Sequence, residues 1–283
     1  MKNKKILVLG SNGQLGADFV NAFKTRGINY VAPAEKDSDI TDFDKINVLI
    51  SEISPDIIIN CAAYNEVDTA EDNSAVAYLV NGEAVANIAR ICKDKNIFLV
   101  HHSSDYVFDG KKQDLYYEDD NVEPINIYGK SKLMGEMAIK DSLDKYLIFR
   151  LSWVIGSGKQ NFLYKVSMWA ENNRVIKVSA DEVSVPTFTD DVVDIVILSL
   201  KRGLTGLYHL TNSGYASRYE LAKLYVQKMK LSNLVIPVSM SNFETKAERP
   251  GFSAMSNNKL ETALNIKIPN WNDSLIKYVE ILK

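Results

Sequence analysis

The chain is poor in cysteine, in long apolar runs and in blocks of one charge, and each shortage excludes something. Two cysteines in 283 residues, Cys61 and Cys92, cannot build a disulfide framework. Neither stands in a CxxC pattern or beside a histidine cluster, and both read as buried thiols of a reducing cytoplasm. No apolar run approaches the roughly 18 residues that a membrane-spanning helix needs. The opening MKNKKILVLG sets a basic start before an apolar run. That run is short, ends in glycine and carries no cleavage site, so it reads as a first strand and not a leader. Lysine and arginine (33) are nearly balanced by aspartate and glutamate (36), for a net charge of −3. With no basic block beyond Lys2–Lys5, the sequence offers no surface for nucleic acid or membrane. Internal repeats and low-complexity linkers are also missing.

What is present is an alternation of short apolar runs and longer helical patterns. KILVLG (5–10), INYVAP (28–33), DIIINC (56–61), IFLVHHS (97–103) and YLIFRLS (146–152) read as strands. Between them lie QLGADFVNAFKTRG, FDKINVLISEIS, the segment Asp72 to Lys95, and INIYGKSKLMGEMAIK. In Asp72–Lys95, the residues Ala75, Leu79, Ala86, Ile88, Ala89 and Cys92 recur at helical spacing. Near-continuous apolar strands are buried on both faces, which predicts an α/β protein with a doubly wound parallel, Rossmann-like sheet. Its ligand crevice should lie at the carboxyl ends of the strands. After Trp153 the rhythm breaks into short turns and isolated helices near 189–201 and 217–230. Residues 1–155 are thus expected to form a dinucleotide-binding domain and 156–283 a smaller α/β substrate-binding lobe. The two interleave, because 189–215, with the strand GLYHL (206–210), should rejoin the sheet.

The first chemical constellation is GSNGQLG, Gly10 to Gly16, directly after a strand and opening a helix. That context marks a dinucleotide loop: Gly10 permits the turn, Gly13 admits the pyrophosphate, and Gly16 packs helix on strand. Asn12, Gln14 and Leu15 belong to the same loop. At the end of the second strand Glu35 and Lys36 offer both signs, so NADH and NADPH remain open. Asp39 and Ile40 are placed to flank the adenine. Small residues after the third strand, Ala62 and Ala63 with Tyr64 beyond, let a cofactor pass close to the backbone. The fourth strand runs out into Ser103-Ser104-Asp105-Tyr106. Ser104 could donate to a substrate carbonyl and Asp105 accept from a sugar hydroxyl; alternatively the two cap a turn.

Tyr-x-x-x-Lys occurs twice, as Tyr128/Lys132 and Tyr219/Lys223, and in a chain with 14 tyrosines the spacing alone proves nothing. Residues i and i+4 share a helix face. The first pair lies on a helix set off by Pro124, whose face looks into the same crevice as Ser104. There an adjacent ammonium would lower the phenol's pKa from its ordinary value near 10, fitting Tyr128 for proton transfer. The second pair follows no serine-bearing strand and reads as an amphipathic helix with tyrosine inward and lysine outward.

With these features in register, the chain resembles the extended short-chain dehydrogenases/reductases, and among them the dTDP-4-dehydrorhamnose reductase family. The resemblance rests on GSNGQLG, DIIINCAAYNEVDTAE, SSDYVFDG, NIYGKSKLMGE, IFRLSWVIG, DEVSVPTFTDD and RPGFSAMSNNKL, which span nearly the whole chain. It implies a catalytic set of Ser104, Tyr128 and Lys132, with Asp105 and Trp153 touching a nucleotide-sugar substrate. It also implies that Gly13, Gln14, Leu15, Asp39, Ile40, Ala62, Ala63 and Tyr64 line the cofactor, NADH or NADPH. The activity implied is reduction of the 4-keto group of dTDP-4-dehydro-β-L-rhamnose, in cytoplasmic synthesis of cell-surface polysaccharide precursors; a homodimer is allowed. Another nucleotide-sugar 4-ketoreductase or epimerase, or a non-catalytic cofactor-binding subunit, would share much of this pattern. The chain departs from the family in places. Serine stands at position 104 for the usual threonine, Asn65-Glu66 for a threonine-containing pair, and DEVSVPT for DQ-x-G-x-PT, so Glu182 and Ser184 are unusual. Some members hold Mg²⁺ at a dimer contact; Asp190 and Asp191 match part of that set, but Leu15 stands where a carboxylate is wanted, and no metal is predicted.

Overall fold

The computed structural model describes residues 4–283, so the start of the first predicted lobe, Lys2 included, lies outside the described residues. Five strands form in the expected order: β1 (Ile6–Leu9), β2 (Tyr30–Val31), β3 (Ile57–Asn60), β4 (Phe98–Ser104) and β5 (Tyr146–Leu151). The strand Gly206–His209 adds to β5, and the sheet runs from it through β5, β4, β3 and β1 to β2. Every neighbouring pair is parallel. The chain steps from β1 to β2 on one side and then crosses to β3 on the other. That reversal opens a crevice beyond the carboxyl ends of β1 and β3.

The apolar runs account for the depth of this sheet. Along β1, Ile6 and Val8 enter one core cluster while Leu7 and Leu9 enter the other, as the alternation of side chains across a strand requires. Phe19 and Phe23 from the helix Gln14–Arg26 cover the first face, together with Val192, Val193 and Val196 from the helix Thr189–Arg202. The second face is covered by Ile46 and Ile50 of the helix Phe43–Ile53, Val85 and Ile88 of Ala84–Lys95, and Ile139 of Ile127–Ser142. Burying each such side chain contributes about 1.5–3 kcal/mol.

Two segments differ from the sequence reading. The strand expected over 28–33 shrinks to Tyr30–Val31, an edge strand with β1 as its one partner, and Pro33 just beyond cannot donate to a ladder. The segment Asp72–Lys95 is helical from Ser74 to Lys95 as expected, but its ladder widens to π geometry at Leu79–Glu83, between Ser74–Tyr78 and Ala84–Lys95, and a separate short helix, Val67–Asp72, precedes it. At this turn the neighbouring helix comes close: a Cβ at Gly82 would stand 2.5 Å from the Met134 sulfur.

Beyond β5 a second core forms. Val175–Ser179 pairs in parallel with Leu234–Val238, and the helices Phe162–Asn172, Arg218–Lys228 and Trp271–Leu282 pack around them. Leu163, Val166, Leu221, Tyr225, Leu275 and Val279 share this cluster with Trp153. Trp153 thus belongs to the second core although it follows directly on a strand of the first.

Candidate active site

The crevice holds a cavity of about 270 Å³, which opens into a second of about 510 Å³ bounded by the C-terminal lobe. Asn65, Trp153, Val154, Gln160 and Asn161 line both. The smaller one is walled by the glycine loop, by the ends of β3, β4 and β5, and by the start of the helix Ile127–Ser142.

The glycine loop lies tight against β3. Gly10 has φ +71°, and a Cβ there would stand 2.4 Å from the Ala62 nitrogen, so any other residue would push the two strand ends apart. Gly13, Gln14, Leu15, Ala62 and Ala63 line the cavity. Gln14 also donates to the Val154 carbonyl at 3.2 Å and accepts from Asn161 at 2.9 Å, which ties the loop to the chain leaving β5. Asn12 is exposed in the same loop. Three other residues proposed for the cofactor stand back from this wall. Asp39 accepts from the Thr41 amide and hydroxyl, Ile40 is buried in the core beside Leu7 and Leu9, and Tyr64 donates to the Thr69 hydroxyl at 3.0 Å.

Ser104, Asp105, Tyr128 and Lys132 all meet on the cavity wall. The turn-capping reading of Ser104 holds in the geometry: its hydroxyl, on the cavity wall, accepts from the Tyr106 amide at 3.2 Å and caps a short turn. Its own hydrogen goes to Asp105 Oδ1 at 3.1 Å. Asp105 Oδ2 takes two more hydroxyls, from Ser184 at 2.8 Å and Ser253 at 2.6 Å. Desolvation pushes this carboxyl up to about 6, even with three hydroxyls pulling the other way. Asp105 thus fastens two loops of the C-terminal lobe to the end of β4, and Ser184, unusual by resemblance, is one of the fasteners.

Asn126 caps the helix that carries the tyrosine, accepting from the Gly129 amide at 2.8 Å, and Glu71 accepts from Ile127 at 2.9 Å. One turn on, Lys132 is 2 % exposed and donates to the His102 carbonyl at 2.6 Å. Burial pushes this ammonium down to about 8, opposed by the carboxylate of Glu136. Glu136 is itself held by both arms of the buried Arg150 guanidinium, at 2.9 and 2.8 Å. The expectation that Lys132 lowers the Tyr128 pKa needs correction. Desolvation pushes the phenol up to about 12; the Ser104 hydroxyl lowers it in part, and the Asp105 charge raises it further. At neutral pH Tyr128 is therefore a protonated phenol, which suits a proton donor. The Tyr106 ring meets it edge-on, with centroids 5.7 Å apart.

The second pair sits elsewhere. Tyr219 packs on the core of the C-terminal lobe, and the exposed Lys223 lies 5.3 Å from its ring centre. Trp153 is 9 % exposed and has φ +38°, a conformation that costs a bulky residue of order 1 kcal/mol or more and persists only where its surroundings enforce it. One face of its ring is covered by the Arg218 guanidinium at 3.7 Å. Asp190 is exposed, while Asp191 accepts from Asn212 at 2.7 Å and Ser274 at 2.5 Å.

Sequence reasoning missed Asn81. It is 1 % exposed in the π turn, where it accepts from the Tyr64 amide at 2.9 Å and donates to the Tyr64 carbonyl and the Ser131 hydroxyl, both at 3.0 Å. It thereby links the loop after β3 to the tyrosine-bearing helix. An Asn-Gly pair in the middle of a predicted helix, both poor helix formers, was the available signal.

A family model described as the RmlD substrate binding domain matches residues 4–283. The spore coat polysaccharide biosynthesis protein SpsK of Bacillus subtilis is 34% identical, covering 98% of this chain and 97% of that protein. A dTDP-4-dehydrorhamnose reductase of Burkholderia thailandensis is 32% identical over 94% of this chain and 95% of its own length. Among solved structures, the dTDP-4-dehydrorhamnose reductase of Bacillus anthracis in complex with NADP superposes with a TM-score of 0.95 at 33% identity, covering 100% of both chains.

Proposed function

The chain belongs to the RmlD substrate-binding-domain family of dTDP-4-dehydrorhamnose reductases, and from that premise we propose that it reduces the 4-keto group of dTDP-4-dehydro-β-L-rhamnose with NADPH or NADH. The observation that carries this reading is the meeting of Ser104, Tyr128 and Lys132 on one cavity wall, beside the glycine loop.

The residues present fit a dinucleotide. A Cβ on Gly13 would meet nothing closer than the Gly10 carbonyl at 3.4 Å, so the absent side chain leaves a cradle at a helix start, where free N–H groups and the helix dipole favour a pyrophosphate. Gly10, Asn12, Gly13, Gln14 and Leu15 would hold it, with Ala62 and Ala63 beneath the nicotinamide ribose. Asp39, Ile40 and Tyr64 keep an adenosine-side role through backbone atoms. Glu35 and Lys36 are both exposed just past the edge strand, and neither sign dominates. We therefore expect weak discrimination between the two cofactors; a preference above about a hundredfold, roughly 2.7 kcal/mol, would contradict it.

A reduced nicotinamide supplies the hydride, and the chain's own residues do the rest. Tyr128, protonated at neutral pH, gives the proton to the nascent alkoxide oxygen. Lys132 would hold the ribose hydroxyls of the bound cofactor and would stabilise the phenolate left behind. Ser104 turns its one hydrogen from Asp105 to the carbonyl oxygen and stabilises the charge that develops there. In this reading the sheet region holds the cofactor and the C-terminal lobe the substrate. The sugar meets Trp153 and Asp105, and the larger cavity takes the nucleoside diphosphate end.

The test is oxidation of NADH and NADPH with a panel of dTDP-4-keto sugars. Turnover of dTDP-4-dehydro-β-L-rhamnose above the others supports the reading. Turnover of a different keto sugar alone moves the chain to a sibling reductase, and no turnover with any of them leaves only a cofactor-binding protein.

A further inference from the structure

Two arginine–glutamate pairs, one buried and one with a partly exposed arginine, differ sharply in how well they are made. Arg150 and Glu136 form a two-armed pair at 2.9 and 2.8 Å. Arg218 and Glu182 touch through a single nitrogen–oxygen contact of 3.5 Å. The weak pair is not loose, because Ala216–Ser217 pairs with Val183–Ser184 and fixes the two backbones side by side. The Arg218 guanidinium is also clamped between aromatic rings, 3.7 Å from the centre of Trp153 and 4.9 Å from that of Phe162. It is thus a rigid fork with five N–H donors, and among the described residues one of them is engaged by a side chain.

Arg218 and Glu182 both line the larger cavity, with Lys165, Lys177 and Arg249. Arg249 is spent on Asp68, at 3.0 and 2.7 Å. Among the described residues Lys165 and Lys177 form no ion pair, so two unpaired lysines and the weakly paired Arg218 share this wall with one carboxylate. Phe162, Trp169 and Phe243 add flat apolar surface to the same wall. Cations beside aromatic faces match a ligand with adjoining phosphates and a planar base.

We propose that Arg218 grips the diphosphate of the nucleotide sugar and that Glu182 is a built-in competitor, which the ligand must displace from the guanidinium. The inference rests on the nucleotide-sugar reading above, and it adds a consequence that reading does not contain: removing a wall residue should tighten binding. Glu182 holds the fork turned toward itself and away from an incoming phosphate. Glutamine at that position keeps the shape, gives up the charge and frees the arginine. The carboxylate would then set how easily product leaves, because whatever weakens the diphosphate grip raises the off-rate.

The experiment titrates dTDP, and UDP beside it, into the NADPH-saturated protein by calorimetry. Arg218→Met keeps an apolar chain on Trp153 without the charge and should weaken dTDP binding by about tenfold or more, as loss of a charge-assisted bond does. Glu182→Gln should tighten it severalfold. The double variant Glu182→Gln/Arg218→Met should match Arg218→Met alone, because Glu182 acts through the arginine. Unchanged NADPH affinity and melting temperature establish that the variants are folded. Unchanged or weaker dTDP binding in Glu182→Gln, or a gain that survives in the double variant, overturns the inference and leaves the reductase reading intact. If neither nucleotide binds the wild-type protein, both fall together.

Discussion

Tyr128/Lys132 and Tyr219/Lys223 have the same spacing on the same kind of element, yet their surroundings share almost nothing. In the first pair the lysine is 2 % exposed, its ammonium drawn to a strand carbonyl, and the phenol stands beside a serine at a strand end. In the second the lysine is in water beside a tyrosine ring that packs on the core of the C-terminal lobe. Four residues on a helix put two groups on one face and do no more. What turns a pair into chemistry is the sheet edge that the face meets, because that edge removes water and supplies partners. The contrast can be broken or sharpened by substitution.

The largest expected effect is at Tyr128. Tyr128→Phe removes one hydroxyl and leaves the ring, so cofactor binding should survive while kcat falls by roughly 10²–10⁴-fold, the contribution of a positioned proton donor. Tyr219→Phe, the matched change, should leave kcat near wild type. Steady-state kinetics on both variants decides the matter, and a damaging Tyr219→Phe beside a silent Tyr128→Phe would overturn the site assignment.

Lys132→Met comes next and should lose cofactor affinity and rate together, because one ammonium serves both. The sign of the pH dependence follows from burial. The pKa of Lys132 falls from an ordinary 10.5 to about 8, so the charge is present below about 8 and lost above it. Activity should therefore decline above pH 8 with loss of one proton. The depressed pKa also means that the buried charge burdens the fold below about pH 8, a burden that fades towards 10.5. Lys132→Met should then cost function at pH 7 without lowering the melting temperature. A fall of several degrees would mean that the bond to His102 outweighs desolvation.

Asn81 tests what holds the first pair in place. Asn81→Ala takes the side-chain partner from the partly buried Tyr64 amide and carbonyl and leaves the Ser131 hydroxyl only its bond to the Tyr128 carbonyl, a loss of about 1–3 kcal/mol. Thermal melting should move down by several degrees, and cofactor affinity should fall with it, because the loop after β3 loses its tie to the helix. A stability loss with unchanged cofactor affinity would reduce Asn81 to ordinary core support.

How far these regions could be read from sequence follows from the range of their interactions. β1 and β3 were plain because runs of four and three successive apolar residues bury both faces, and the glycine loop because strand, turn and helix are contiguous. The Tyr128 helix was legible for the same reason. Nothing local announced that Asp105 would take hydroxyls from Ser184 and Ser253, 79 and 148 positions away. Arg218 was read past because its role depends on Trp153 and Phe162, which reach it only through tertiary packing. The ionisation of Tyr128 was read in the wrong direction, since a nearby lysine is visible in a sequence and loss of water is not.

The smallest effect belongs to the second pair, and it is the most stringent check on the contrast. Lys223 sits over the Tyr219 ring at 5.3 Å in an exposed setting, where a cation–π contact is worth about 0.5 kcal/mol. Lys223→Met keeps the stem that covers the ring and removes only the charge. In a chain of this size half a kcal/mol corresponds to about 1–2 °C of melting temperature, and neither kcat nor cofactor affinity should move. The same substitution at Lys132 touches an identical side chain at an identical spacing from its tyrosine. If the two methionine variants lost cofactor affinity to a similar degree, the spacing and not the sheet edge would be the active ingredient, and the environment argument would fail.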